Sequence, residues 1–129
     1  MAKTLADFVN EARTRIREIS IGEFDEMIEN HDDLLIVDVR ESEEFHRGHI
    51  PGALLIPRGT LESTTDGGGK PGAGALREAR GKTIVLYSTN GERSALATDT
   101  LQQMGFAKVY NLAGGIDRWQ AEGFALVAE

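Results

Sequence analysis

The sequence contains no cysteine at all. That absence excludes disulfides, thiolate metal sites and any cysteine nucleophile in the chain. Nor is there a cluster of Lys and Arg dense enough to track a phosphate backbone: 14 basic residues face 21 acidic ones, for a formal charge of −7, so nucleic acid is excluded as a partner. No apolar run approaches the roughly 20 residues that a membrane span needs, which argues against a membrane partner. The opening Met1 to Asp7 is polar and amphipathic, without the continuous apolar stretch and small-residue cleavage site of a signal peptide. Cytoplasmic location is the resulting expectation.

What is present belongs to a soluble globular protein of one domain. The 129 residues are 40% hydrophobic and 27% charged, enough to bury a core behind a single sheet. Leu5, Phe8, Val9, Ala12, Ile16 and Ile19 recur at three- and four-residue spacing, which predicts an amphipathic helix from about Ala2 to Glu18 with one apolar stripe. Residues 1–18 are therefore read as an N-terminal helix that packs across the sheet or a neighbouring subunit, and 19–129 as the domain proper. A homodimer through that helix stays open, to be tested by light scattering with and without residues 1–18.

Ser20 and Glu23 have capping-box spacing, and Phe24, Met27 and Ile28 extend a second helix to the polar break at Asn30 to Asp33. Leu34 to Val37 and Thr83 to Tyr87 are continuous apolar runs, the pattern of strands buried on both faces of a parallel sheet. Shorter strands are predicted at Ala53 to Pro57 and Lys108 to Asn111, and helices at Glu41 to His46, around Ala75 to Arg80, at Arg93 to Met104 and at Ile116 to Ala121. Thr64 to Gly74, with five glycines and one proline, reads as a mobile surface loop. Its Gly67-Gly68-Gly69-Lys70 lacks the preceding strand and the Gly-Lys-Ser/Thr ending of a phosphate loop. Strands alternating with helices imply a doubly wound α/β fold, a parallel sheet flanked by helices, with ligands at the carboxyl ends of the strands.

The segment that carries chemistry is Ser88-Thr89-Asn90-Gly91-Glu92-Arg93-Ser94, between a buried strand and a helix start. Gly91 permits a tight turn, and Arg93-Ser94 opens the helix, with Ser94 suited to cap it. Convergent amides at a positive helix end form an anion cradle, and Ser88 stands at its entrance. Any strand-to-helix turn in an α/β domain shares much of this pattern, so the loop alone leaves function open.

Four segments together carry a resemblance. Asp38-Val39-Arg40, Gly48-His49-Ile50-Pro51-Gly52-Ala53, Gly91-Glu92-Arg93-Ser94 and Gly114-Gly115 with Trp119 and Gly123 follow one another in the order seen in rhodanese-like domains, over roughly Ile19 to Phe124. The resemblance implies a sulfurtransferase whose loop cysteine carries a sulfane sulfur as a persulfide. It implies a small sulfur-containing anion or persulfide donor, a thiol acceptor or protein partner, and neither metal nor cofactor. It also implies that Thr89 to Ser94 bind the substrate and that Asp38, Arg40 and His49 support the site. In this chain the cysteine position is Ser88. A serine hydroxyl stays protonated without a neighbouring base, and its oxygen cannot hold sulfur in an exchangeable S–S bond, so the chain as written is expected to be inactive.

A serine-hydrolase role would need a base beside Ser88, and nothing in the placement of His31, His46 or His49 suggests one. His31 reads as surface, His46 and His49 as packing or loop support. Asp38 and Arg40 are expected to form an internal ion pair, with Asp38 as a general base the lesser option. Trp119 is expected to seat the closing helix. Glu92 either repels a dianion such as thiosulfate or faces solvent at a helix start, where acids are favoured. Ser88 to Arg93 spans six residues, one fewer than in related phosphatases, which makes phosphate-ester chemistry a distant reading. Ser88 itself has two readings: a replacement introduced into a working sulfurtransferase, or the chain's own residue in a non-catalytic domain that binds an anion or a protein. The codon at position 88 of the source gene separates them.

Overall fold

A computed structural model describes residues 2–30, 33–66, 74, 76 and 78–128. His31 and the glycine-rich run at 67–73 lie outside the described residues. So do positions 75 and 77 of the helical piece expected from Ala75, although Gly74 and Leu76 on either side are helical.

The chain opens with helix α1, Leu5–Arg13, started by a reciprocal capping box between Thr4 and Asp7. The helix does not run on to Glu18 as its apolar spacing predicts. Arg17–Ile19 is instead an edge strand, β1, paired in parallel with residues 110–112. Strand pairing and the bidentate hold of Arg15 on Asp99 fix this segment, and both are contacts to residues more than 80 positions away. Helix α2, Ile21–Asn30, begins at the predicted Ser20/Glu23 box, with hydrogen bonds of 2.8 and 3.1 Å. Then come strand β2 (Leu35–Asp38), helix α3 (Ser42–Arg47), the two-residue strand β3 (Leu54–Leu55), a 3₁₀ turn at Arg58–Thr60 and helix α4 (Leu61–Thr65). Thr64 and Thr65 close α4 as buried residues rather than opening a surface loop, Thr65 bonding its hydroxyl to the Leu61 carbonyl. The second half holds β4 (Thr83–Tyr87), α5 (Glu92–Gln103), β5 (Lys108–Leu112) and α6 (Gly115–Ala121).

All five strands are parallel, in the order β1-β5-β4-β2-β3. Alternate residues of β4 feed two cores. Ile84 and Leu86 pack with Val37, Leu61, Leu76, Ala97, Leu101 and Phe106 on one face. Val85 and Tyr87 pack with Ile21, Phe24, Ile50, Ile116 and Trp119 on the other. Trp119 stacks with Phe124 and donates its indole N–H to the Ala125 carbonyl, the seating role expected of it. Helix α1 lies outside this two-faced core, docked on α5.

After β2 the chain moves to one edge of the sheet and after β4 to the other. The carboxyl ends of these adjacent strands therefore flank a topological switch point, where α/β sheets form crevices. Asp38 ends β2, and Ser88 follows Tyr87 at the end of β4.

Candidate functional site

Ser88 is fully buried, and both hydrogen bonds of its hydroxyl go to Ser94: Oγ accepts from the Ser94 N–H at 3.2 Å and lies 3.1 Å from the Ser94 Oγ. Ser94 is thus not the helix cap. Gly91 is, at φ +94°, a left-handed conformation that relieves the turn at no steric cost. Asn90 accepts from the Glu92 N–H at 3.1 Å, tightening the same turn. The amides of Thr89, Asn90 and Gly91 take no hydrogen-bond partner among the described residues, so the loop keeps donors uncommitted beside the positive end of a twelve-residue helix. Among the described residues no base bonds to the Ser88 hydroxyl. His49 is spent on the Phe45 carbonyl at 2.9 Å and stacks on the Phe45 ring at 3.7 Å, which is packing and loop support.

Asp38 and Arg40 form the expected ion pair. Arg40 donates Nη2–H to one carboxylate oxygen at 2.8 Å, Nε–H and its own backbone N–H to the other at 3.1 and 2.9 Å, and a further Nη2 bond to the Gly48 carbonyl at 2.7 Å. Both Asp38 oxygens are thus engaged by Arg40. Burial, then Asp38, pushes the Tyr87 hydroxyl far above its usual pKa; that hydroxyl accepts the Ile50 N–H at 3.1 Å.

Three residues to which the sequence reading gives no part in the site complete it. Glu44, on α3, takes a bidentate grip from Arg93 at 2.9 and 3.0 Å, while Arg93 also donates to the Thr89 hydroxyl at 3.0 Å. Gly115, read from sequence only as part of a turn, lets the start of α6 dock on the loop: the Ile116 and Asp117 amides bond the Ser88 and Thr89 carbonyls at 2.9 and 3.0 Å. Asn111, on β5, is fully buried and donates to the Gly91 carbonyl at 3.1 Å and to Glu18 at 2.8 Å. A cleft of about 370 Å³ opens beside Thr89, lined by Arg40, Glu44, Arg47, Ile116 and Asp117 among others. Among the described residues no group of His, Asp or Glu is arranged to hold a metal, and no helix is long and apolar enough to cross a membrane.

Two expected outcomes arise from this geometry. A Cβ at Gly115 would fall 2.4 Å from the Ser88 carbonyl oxygen, at a backbone φ of +58°. Gly115→Ala is expected to destabilise the fold by roughly 2–5 kcal/mol, read as a lowered urea midpoint at constant slope. The Arg93 guanidinium, chiefly through its hydrogen bonds, holds the Glu44 carboxyl down at about 2, from an ordinary 4.5, against the opposing effect of burial. A lowered folded-state value stabilises above the unfolded value and is lost as pH falls through the folded one. The stability gap between the parent and Glu44→Gln should therefore be full at pH 6 and shrink between about pH 4.5 and 2, as urea titrations at the two ends would show. An equal gap at both ends would exclude the pair as the cause.

The rhodanese-like domain model matches residues 20–122, and the chain belongs to that family. The putative sulfur carrier protein YrkF of Bacillus subtilis is 36% identical over 110 residues, which are 85% of this chain but 54% of YrkF, so the chain spans about half of that relative's length. A sulfurtransferase of Allochromatium vinosum is 29% identical over 113 residues, covering 88% of this chain and 96% of the relative. A Rhodopseudomonas palustris protein of unknown function, described as a possible tyrosine phosphatase, superposes with a TM-score of 0.86 at 30% identity, over 98% of this chain and 96% of the other. The resemblance carried by the four sequence segments is thereby confirmed as family membership.

Proposed function

We propose that the loop from Ser88 to Ser94 is a sulfane-sulfur cradle, in which a cysteine at position 88 would carry the persulfide and Ser88 leaves the domain inactive. The observation that carries this reading is the position of the Ser88 Oγ. It receives the Ser94 N–H at the start of α5, next to loop amides without a partner among the described residues. Thr89 to Ser94 are the donor-binding residues in this reading, and Asp38, Arg40 and His49 support them.

With cysteine at 88, the thiolate would attack the outer sulfur of the donor. The donor's S–S bond breaks, its electron pair leaves with the rest of the donor, as sulfite from thiosulfate or as a thiolate or sulfide from a persulfide or polysulfide, and a new S–S bond forms on residue 88. A thiol or cyanide then takes the outer sulfur and returns the thiolate. The amides stabilise negative charge at both stages. The names of the relatives support sulfur donors and acceptors as the partner class.

The test is thiocyanate formation from cyanide with thiosulfate, polysulfide or a persulfide, by the chain and by Ser88→Cys. No turnover by Ser88→Cys with any donor sinks the proposal and leaves the non-catalytic binding domain, which the complete absence of cysteine favours. An aryl phosphate is expected to give a flat response with both proteins; hydrolysis by either one would reinstate phosphate-ester chemistry.

A further inference from the structure

The cleft beside Thr89 is poor in usable positive charge. Arg40 is neutralised by Asp38. Arg93, the one cation in the loop, is held by both oxygens of Glu44 and tied to Thr89, two residues that line the cleft. Glu92 stands at the loop with its carboxylate 3.3 Å from the Asn90 amide nitrogen, and Asp117 lines the cleft from α6. Arg47 is the one guanidinium on the lining without an ion pair among the described residues, and it shares α3 with the exposed Glu43, with Glu41, also exposed, capping that helix. The charged lining is thus Arg40 and Arg47 against Glu44 and Asp117, with Asp38 and Arg93 paired to it and Glu92 on the adjoining loop.

A dianion needs cations whose charge is not already spent, and an Arg fork held by a carboxylate has none to offer. We propose that Glu44 is a specificity-determining residue: by occupying Arg93 at the cleft wall it makes the site select singly charged or uncharged sulfane donors over the thiosulfate dianion. This rests on the sulfur-transfer reading of position 88. The helix start is not disturbed by the pairing, since the same Glu44 carboxylate accepts the Glu41 N–H at 2.9 Å.

Two probes of nearly one shape separate charge from fit: thiosulfate, a dianion, and methanethiosulfonate, in which a methyl group replaces one oxygen and one charge. Both deliver the same outer sulfur to a thiolate, with sulfite or methanesulfinate leaving on the electron pair of the broken S–S bond. The Ser88→Cys chain is expected to show the higher kcat/KM with methanethiosulfonate. Adding Glu44→Gln keeps the size of the side chain and an oxygen for Arg93 while removing the charge. The ratio of the two kcat/KM values should then move about threefold to fivefold toward thiosulfate, the change residing in KM and fading at high salt. Glu43→Gln, an exposed acid on the same helix without a bond to Arg93, should leave the ratio in place.

An unchanged ratio in the Glu44→Gln protein overturns the inference while leaving the sulfur-transfer reading intact. If Ser88→Cys turns over neither donor, that reading fails, and calorimetric titration of sulfate into the Ser88 chain and its Glu44→Gln variant decides the charge claim separately. Tighter sulfate binding by the variant upholds it, and equal binding refutes it. Urea midpoints of each variant identify any protein that has lost its fold.

Discussion

Ser88→Cys should raise thiocyanate formation by roughly 10³-fold or more over the parent chain, whose rate is expected to equal the buffer blank, because it supplies the nucleophile that the proposed sulfur cradle lacks. In the proposed reading the parent lacks the sulfur atom: the loop is turned at Gly91, its amides are uncommitted among the described residues, and Ser94 already donates to the side chain at 88. Sulfur differs from oxygen in two ways that matter here. A free thiol ionises near ~8.5 and lower at a helix N-terminus, whereas an alcohol stays protonated beside no base. Sulfur also forms the exchangeable S–S bond that stores the transferred atom, which oxygen cannot. The rate of Ser88→Cys should therefore rise with pH along the thiolate fraction, level off below the ordinary thiol value, and vanish after alkylation with iodoacetamide. A pH-independent rate, or one that survives alkylation, would place the chemistry elsewhere. The replacement is nearly isosteric and keeps a weak acceptor for the Ser94 N–H, so the urea midpoint should shift by no more than about 1 kcal/mol in stability.

How much of this is legible in the sequence depends on the range of the contacts involved. Thr83–Tyr87 is found to the residue, because a strand buried on both faces must be apolar at every position and turn residues bound it. The start of α2 is equally readable, since the Ser20/Glu23 box spans three residues. The Asp38–Arg40 pair also lies within one short segment. By contrast, β1 is three residues long and owes its existence to β5, while the apolar spacing around it is helical, so the local pattern points to the wrong element. Glu44 meets Arg93 across 49 positions and Asn111 meets Gly91 across 20, and neither leaves a trace in spacing. Ser94 misleads for a different reason. Its type fits a cap, but Gly91 turns the chain three residues earlier and frees the Ser94 amide and hydroxyl for Ser88. Gly114-Gly115 is correctly read as a turn, yet its purpose, the docking of α6 on the loop carbonyls, is visible only once Ser88 and α6 are placed side by side.

Arg40→Met is expected to cost roughly 3–5 kcal/mol, more than any surface change in the protein, because it strands a carboxylate in the interior. The Asp38 side chain is completely buried and that of Arg40 is 7% exposed, so neither can turn to water when its partner is removed. The loss extends beyond the pair, since the Arg40 Nη2 bond to the Gly48 carbonyl also fixes the chain between α3 and β3. The buried pair is itself costly to desolvate, so removing both charges should hurt less than removing one. The double variant Asp38→Leu/Arg40→Met should recover a large part of the Arg40→Met deficit, giving a clear coupling energy in a double-mutant cycle. The sign of the pH response provides an independent check. A lone buried carboxylate is relieved by taking a proton, which makes the native state of Arg40→Met bind more protons than its unfolded state. Its stability should then rise as pH falls from 7 toward about 4, a trend absent from the double variant. Additive losses in the cycle, or a pH response shared by both proteins, would mean that Arg40 acts through packing and its Gly48 bond alone. The same variant carried with Ser88→Cys separates fold from chemistry. Arg40 also lines the cleft beside Thr89, so turnover is expected to fall further than the folded fraction alone.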